Sequence, residues 1–140
     1  MKKYLSVIML TVICILGCSC RYAPPGDVSN VKITSVQSEI YSEEDVYSAI
    51  DVIKDYFSVF RNCTLQEIGY AGDNEYWLSQ MQECKVVYDA DEVMILISKF
   101  YSGEQGADTG LNSDFTYGNY IWVLARNENG QWEHKDHGYF

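Results

Sequence analysis

The sequence predicts an α+β domain in which a long N-terminal helix lies across a curved antiparallel sheet. Three observations lead there. Val46, Ala49, Ile50, Ile53, Phe57 and Phe60 recur at three- and four-residue steps, the period of one buried helix stripe. The run "DEVMILISKFYS" is apolar on both faces through its middle, as a central strand is. From Phe115 onward the chain reads as two strands broken once by an Asn-Gly pair, the signature of a β-hairpin. A helix with one apolar stripe must bury it, and the sheet face is the surface on offer.

The elements follow in chain order. Lys2 and Lys3 precede an uncharged, mostly aliphatic run from Tyr4 to Gly17. A basic start, a short apolar stretch and then small residues make a secretory signal. The run falls short of the ~20 apolar residues needed to span a bilayer. Ile15-Leu16-Gly17-Cys18 resembles a bacterial lipobox, which implies a signal peptide at 1–17, cleavage after Gly17 and lipid on Cys18. Cys20, with Ser19 before it, is the competing lipid site. The alternative is an uncleaved N-terminal anchor.

Residues 18–40 hold both prolines and many small polar residues. They read as a lipidated N-terminus and flexible tether, with a short extended piece at Val31 to Val36. The folded part is expected over 41–140. Ser42 and Asp45 form a capping-box pair, and Glu43 and Glu44 suit the positive end of a helix of about five turns. "CTLQEIGYAG" is a short strand. "NEYWLSQMQEC" is a short helix with Trp77, Leu78 and Met81 inward. Residues 102–114, rich in Gly and Asp, form a loop. A strand at 115–126, a turn at Asn127 to Gly130 and a strand at 131–138 complete the hairpin.

"EEDVYSAIDVIKDYF", "CTLQEIGY", "DEVMILISKF" and the terminal hairpin with Asp136, Gly138 and Tyr139 resemble a nuclear-transport-factor-2-like (cystatin-like) domain. The likeness covers roughly residues 40–140 and is nearest to Gram-positive bacterial lipoproteins of this compact fold. It implies a curved sheet under one long helix. It brings no activity with it, because this fold hosts lyases, isomerases and plain binding modules alike.

Composition narrows the function. Eight basic and twenty acidic residues follow Cys18, so the mature chain carries a formal charge of −12. That excludes nucleic acid as a partner, since phosphate binding runs on Lys and Arg. It also excludes electrostatic adhesion to anionic lipid, which leaves the acylated cysteine as the anchor. An aromatic content of 14 % supplies a real core. Cys63 and Cys84 are either a disulfide, permitted by secretion, or two buried thiols. No Cys-x-x-Cys pair, Gly-rich phosphate loop or Gly-x-Ser-x-Gly elbow occurs, and no cofactor is expected.

The chemistry-bearing cluster is "EHKDHGY". Strict strand alternation puts His134 and Asp136 on one face with Trp132, and Glu133, His137 and Tyr139 on the other. His134 and Asp136 form a candidate acid–base pair, while two ligands are too few for a transition metal. Glu104, Asp108, Asn112 and Asp114 supply oxygens for calcium, but their spacing fits no EF-hand. Tyr101, Tyr117, Tyr120, Trp122 and Trp132 are read mainly as core. The reading is thus a lipid-anchored, extracytoplasmic, non-catalytic binding or accessory domain for a protein or small-molecule ligand. Its alternatives are a lyase- or isomerase-like enzyme using His134 and Asp136, and an acidic inhibitor or immunity-type protein.

Overall fold

The computed structural model describes residues 22–104 and 110–139. The signal run, Cys18, Cys20 and Asp108 lie outside the described residues. The chain forms β1 (Lys32–Ile33), α1 (Glu43–Tyr56) with a 3-10 turn (Phe57–Val59), β2 (Cys63–Tyr70), α2 (Glu75–Tyr88), β3 (Glu92–Ser102), β4 (Phe115–Arg126) and β5 (Glu133–Gly138). The sheet order is β1-β2-β3-β4-β5 and the sheet is open. β1 runs parallel to β2 and every other neighbour is antiparallel, so the sheet expected to be antiparallel is mixed.

α1 starts where the capping box predicts. The Ser42 hydroxyl accepts the Asp45 N–H at 3.1 Å, and the Asp45 carboxylate accepts the Ser42 N–H at 3.3 Å. Such a cap contributes ~1 kcal/mol. Val46, Ala49, Ile50, Ile53 and Phe57 form its buried stripe. Each large apolar side chain so buried contributes ~1.5–3 kcal/mol, which is why the helix holds to the sheet rather than standing alone.

β3 is central, and Val93 through Leu96 are fully buried on both faces. Its odd and even residues therefore meet different layers. Met94, Leu96, Ser98 and Phe100 share a face with Trp122 and Leu124, across from which lie Tyr56 and Phe57 of α1. Val93 and Ile95 share the opposite face with Val123 and Ala125. α2 covers that face: Tyr88 bonds Asp136, whose partner on β4 is Val123. The sheet is thus sandwiched between the two helices.

Two further expectations change here. α2 is longer than expected, capped by Asn74, whose Oδ1 accepts the Trp77 N–H at 3.1 Å, and closed by Asp89 at φ 49. Its inward stripe is Trp77, Met81, Cys84 and Tyr88. Leu78 sits one residue, ~100°, off that stripe and is exposed. The helix runs on past Cys84 through the exposed Val86 and Val87 to Tyr88, which packs against the core.

Residues within 26–36, inside the stretch expected to be a flexible tether, are bonded to the fold. Gly26 N–H donates to Ser58 O, Asp27 N–H to Cys63 O and Leu65 N–H to Asp27 O. Lys32 and Ile33 then pair with Glu67 and Ile68, within the stretch read as extended. Glycines permit this close approach. A Cβ on Gly26 would lie 2.1 Å from the Phe57 carbonyl oxygen, and one on Gly69 2.6 Å from the Ser35 nitrogen. The docked segment also covers the edge of β2, which removes an open ladder for stray pairing.

Candidate functional site

The cluster "EHKDHGY" forms β5, an edge strand, but the alternation expected of it does not hold. Val123 pairs with Asp136 and Leu124 with His134, so Lys135 is an extra residue, a β-bulge. A single added residue reverses which side chains share a face. His134, opposite Leu124, and His137, opposite Trp122, therefore lie together on the α1 face. Asp136 is turned to the α2 face. The proposed His134–Asp136 pair on one sheet face is corrected to a His134–His137 pair.

The two imidazoles meet directly, His134 Nε2 to His137 Nδ1 at 3.1 Å. One ring donates and the other accepts. The His134 ring lies 4.0 Å from the Tyr56 ring centroid, and His137 lies 5.2 Å from Trp122 and 5.4 Å from Phe60. α1 delivers Tyr56, the residue closing the 3-10 turn delivers Phe60, and β4 delivers Trp122. Burial holds the His134 pKa below 6.5, helped by His137 and partly opposed by Asp136. Burial lowers His137 as well, again against Asp136. At neutral pH the pair is thus an uncharged, proton-sharing couple seated against aromatic rings.

Asp136 is exposed. Its carboxylate accepts the His137 N–H at 2.8 Å and the Tyr88 hydroxyl at 3.4 Å. Glu133 pairs with Lys135 at 2.7 Å on the surface. The Tyr139 hydroxyl donates to Gly118 O at 3.0 Å. Among the described residues no three metal-ligating side chains converge. In the loop read as a weak calcium candidate, Asp114 accepts the Tyr101 hydroxyl and the Asn112 carbonyl accepts the Ser102 hydroxyl.

The aromatics resolve into core and surface. Tyr117, Tyr120, Trp122 and Trp132 are buried on the α1 face, and Tyr101 is half-buried. The Trp122 indole N–H donates to Ser98 Oγ at 2.8 Å, which satisfies both groups in the core. The Arg126 guanidinium sits 4.2 Å over the Trp132 ring and bonds Glu92 at 2.5 Å and Asp45 at 2.7 Å. This joins the start of α1 to the start of β3 and the end of β4. Its charges are paired with each other, which makes it a structural clamp.

Asp73 is a second knot. Its carboxylate accepts the Ser38 hydroxyl, the Glu39 N–H and the Tyr70 hydroxyl at 2.9, 2.6 and 2.7 Å. Burial opposes its charge, but those donors outweigh it and hold the carboxyl below its usual range.

Cys63 and Cys84 are both free thiols. Cys63 faces α1 on β2, whereas Cys84 belongs to the α2 stripe, so the sheet stands between them and no bridge forms. Burial pushes the Cys63 thiol up to about 11 and raises Cys84 too, aided there by Glu83 and Asp136. Both are poor nucleophiles.

Sequence reasoning missed His137 and Tyr56 as partners of His134. The bulge that joins them leaves no mark in the residues of β5 alone. The doubled histidine three residues apart was the one available signal. Compared with known proteins, the chain matches no family model, no curated protein sequence and no solved structure.

Proposed function

We propose that the chain is an extracytoplasmic lipoprotein, held to a membrane by acyl chains on Cys18, whose α+β domain is a non-catalytic binding or accessory module. Lys2 and Lys3, the apolar run from Tyr4 and the Gly17-Cys18 junction support the anchor. Two or three acyl chains hold firmly, since each buried methylene adds ~0.8 kcal/mol. The fold is read as nuclear-transport-factor-2-like, on the strength of the long helix across one sheet face and the terminal hairpin.

The observation that carries the non-catalytic reading is the bulge at Lys135. It parts His134 from Asp136, joins His134 to His137 and leaves Asp136 bonded to Tyr88 and its own strand. Acid–base catalysis needs the two groups to converge on one substrate position. Here they sit on opposite faces of a strand.

Labelling cells with a fatty-acid analogue tests the anchor. The wild-type chain is expected to take the label and Cys18→Ala to lose it. Loss only in Cys20→Ala would move the lipid site, and an unlabelled wild-type chain would refute the anchor. For the domain, surface proteins cross-linked to the anchored chain are expected to be the same in wild type and in a His134→Ala/Asp136→Ala variant. Turnover of a captured small molecule that depends on both residues would restore the enzyme reading.

A further inference from the structure

The lipid anchor proposed above, taken with the place where the chain enters the fold, sets the orientation of the domain. Residues 23–26 are tied to the turn after α1: the Arg61 guanidinium donates to Ala23 O, Asn62 N–H to Pro24 O and Gly26 N–H to Ser58 O. From Cys18 to Tyr22 is four residues, which reach at most ~14 Å even when fully extended. A strand the length of β3, eleven residues, is ~36 Å long. The anchor therefore reaches one end of the sheet and not the other.

The two ends differ in acidic load rather than in apolar exposure: Glu104 and Asp114 are exposed at the tether end, and the exposed Val86 and Val87 lie beside Asp89 at the other. At the tether end, where Cys63, Ser102 and Phe115 pair across the strands, Tyr22, Val59 and Phe115 are exposed at 78, 52 and 48 %. Arg61 stands exposed among them. The Tyr22 ring with its polar tip, and a cation beside the apolar Val59 and Phe115, suit the headgroup region of a bilayer. The opposite end is defined by Arg126, which joins Asp45 to Glu92. Glu43, Glu44, Asp89, Asp91 and Glu128 are exposed there. The ~14 Å reach of the anchor keeps that end away from the lipid surface.

We propose that the sheet end bearing Tyr22, Val59 and Phe115 rests on the phospholipid surface, and that the acidic end projects outward. The module is then presented in one orientation, with its outward end as the surface open to a basic partner. The anchor supplies the affinity, and its short reach to the bonded residues 23–26 supplies the direction.

The test uses the full lipidated chain in phosphatidylcholine vesicles whose acyl chains carry a spin-label quencher. A fluorophore is attached at Val59→Cys or at Glu44→Cys, in a Cys20→Ser/Cys84→Ser background; Cys63 is too buried to react. The expected result is a blue shift and loss of most of the emission at Val59→Cys, with Glu44→Cys unaffected. Vesicle flotation is measured on the same samples. A chain that floats but is quenched equally at both positions, or more at Glu44→Cys, overturns the orientation and leaves the anchor standing. A chain that fails to float overturns both.

Discussion

Gly26→Ala is the substitution that most directly probes how the N-terminal segment meets the fold. The added Cβ would sit 2.1 Å from the Phe57 carbonyl oxygen and 2.7 Å from its Cδ1. Ordinary contacts begin near 3.4 Å, so something must move by more than an ångström. Phe57 has little room to yield, being fully buried and packed on Phe60, Phe100 and Trp122. The segment around Gly26 lifts instead. It gives up the bonds Gly26 N–H to Ser58 O, Asp27 N–H to Cys63 O and Leu65 N–H to Asp27 O. At ~1 kcal/mol net for each, the loss is about 2–3 kcal/mol. Urea unfolding should show that drop, and hydrogen exchange should show the Asp27 and Leu65 amides losing protection. The consequence reaches function. Free chain from Cys18 would then extend to Lys32, ~50 Å at full stretch, which exceeds the length of the sheet. Quenching at Val59→Cys should weaken accordingly. Unchanged stability, within ~0.5 kcal/mol, and full amide protection would refute the docking argument.

Further outcomes follow from the same packing. Ser98→Ala removes the acceptor of the Trp122 indole N–H in the core and should cost about 1–3 kcal/mol in a thermal or urea melt; an unchanged midpoint would contradict the bond. Burial holds both histidines below their ordinary pKa, so the unfolded chain takes up protons first. Stability should be level above about pH 6.5 and fall as pH drops from there to the folded values, and His134→Phe/His137→Phe should flatten that slope. Arg126→Gln should cost about 1–2 kcal/mol, discounted because Asp45 and Glu92 are each 29 % exposed. The Ser42 hydroxyl and then Arg126 hold Asp45 below its usual pKa, a contribution present at neutral pH and lost as pH falls through the carboxylate range. The variant should therefore lose less on acidification than wild type, and equal losses would show the ion pair to be idle.

Much of the architecture was legible because its causes are local. The Ser42–Asp45 cap and the Val46-to-Phe57 stripe involve neighbours within a few turns of helix, so the residues alone place α1. β3 and β4 announce themselves by apolar runs long enough to cross a buried sheet. The full length of α2 is not legible in the residues because its stripe is sparse, with two half-buried residues, Cys84 and Tyr88, carrying the second half.

The candidate site was legible only as a group of residue types. The residues alone indicate an α+β domain, a long capped helix, a central apolar strand, a terminal hairpin and a concentration of His and Asp on the last strand. How those groups meet follows from packing between distant segments. Whether Lys135 bulges depends on the register β4 imposes, and that one-residue slip sends Asp136 to one face and His134 with His137 to the other. Whether residues 26–36 are tether or edge strand depends on glycines at 26 and 69 finding Phe57 and Ser35 beside them. Periodicity and capping are written in neighbours along the chain. Register and close approach are set by residues far apart in sequence, and exist only once the sheet has formed.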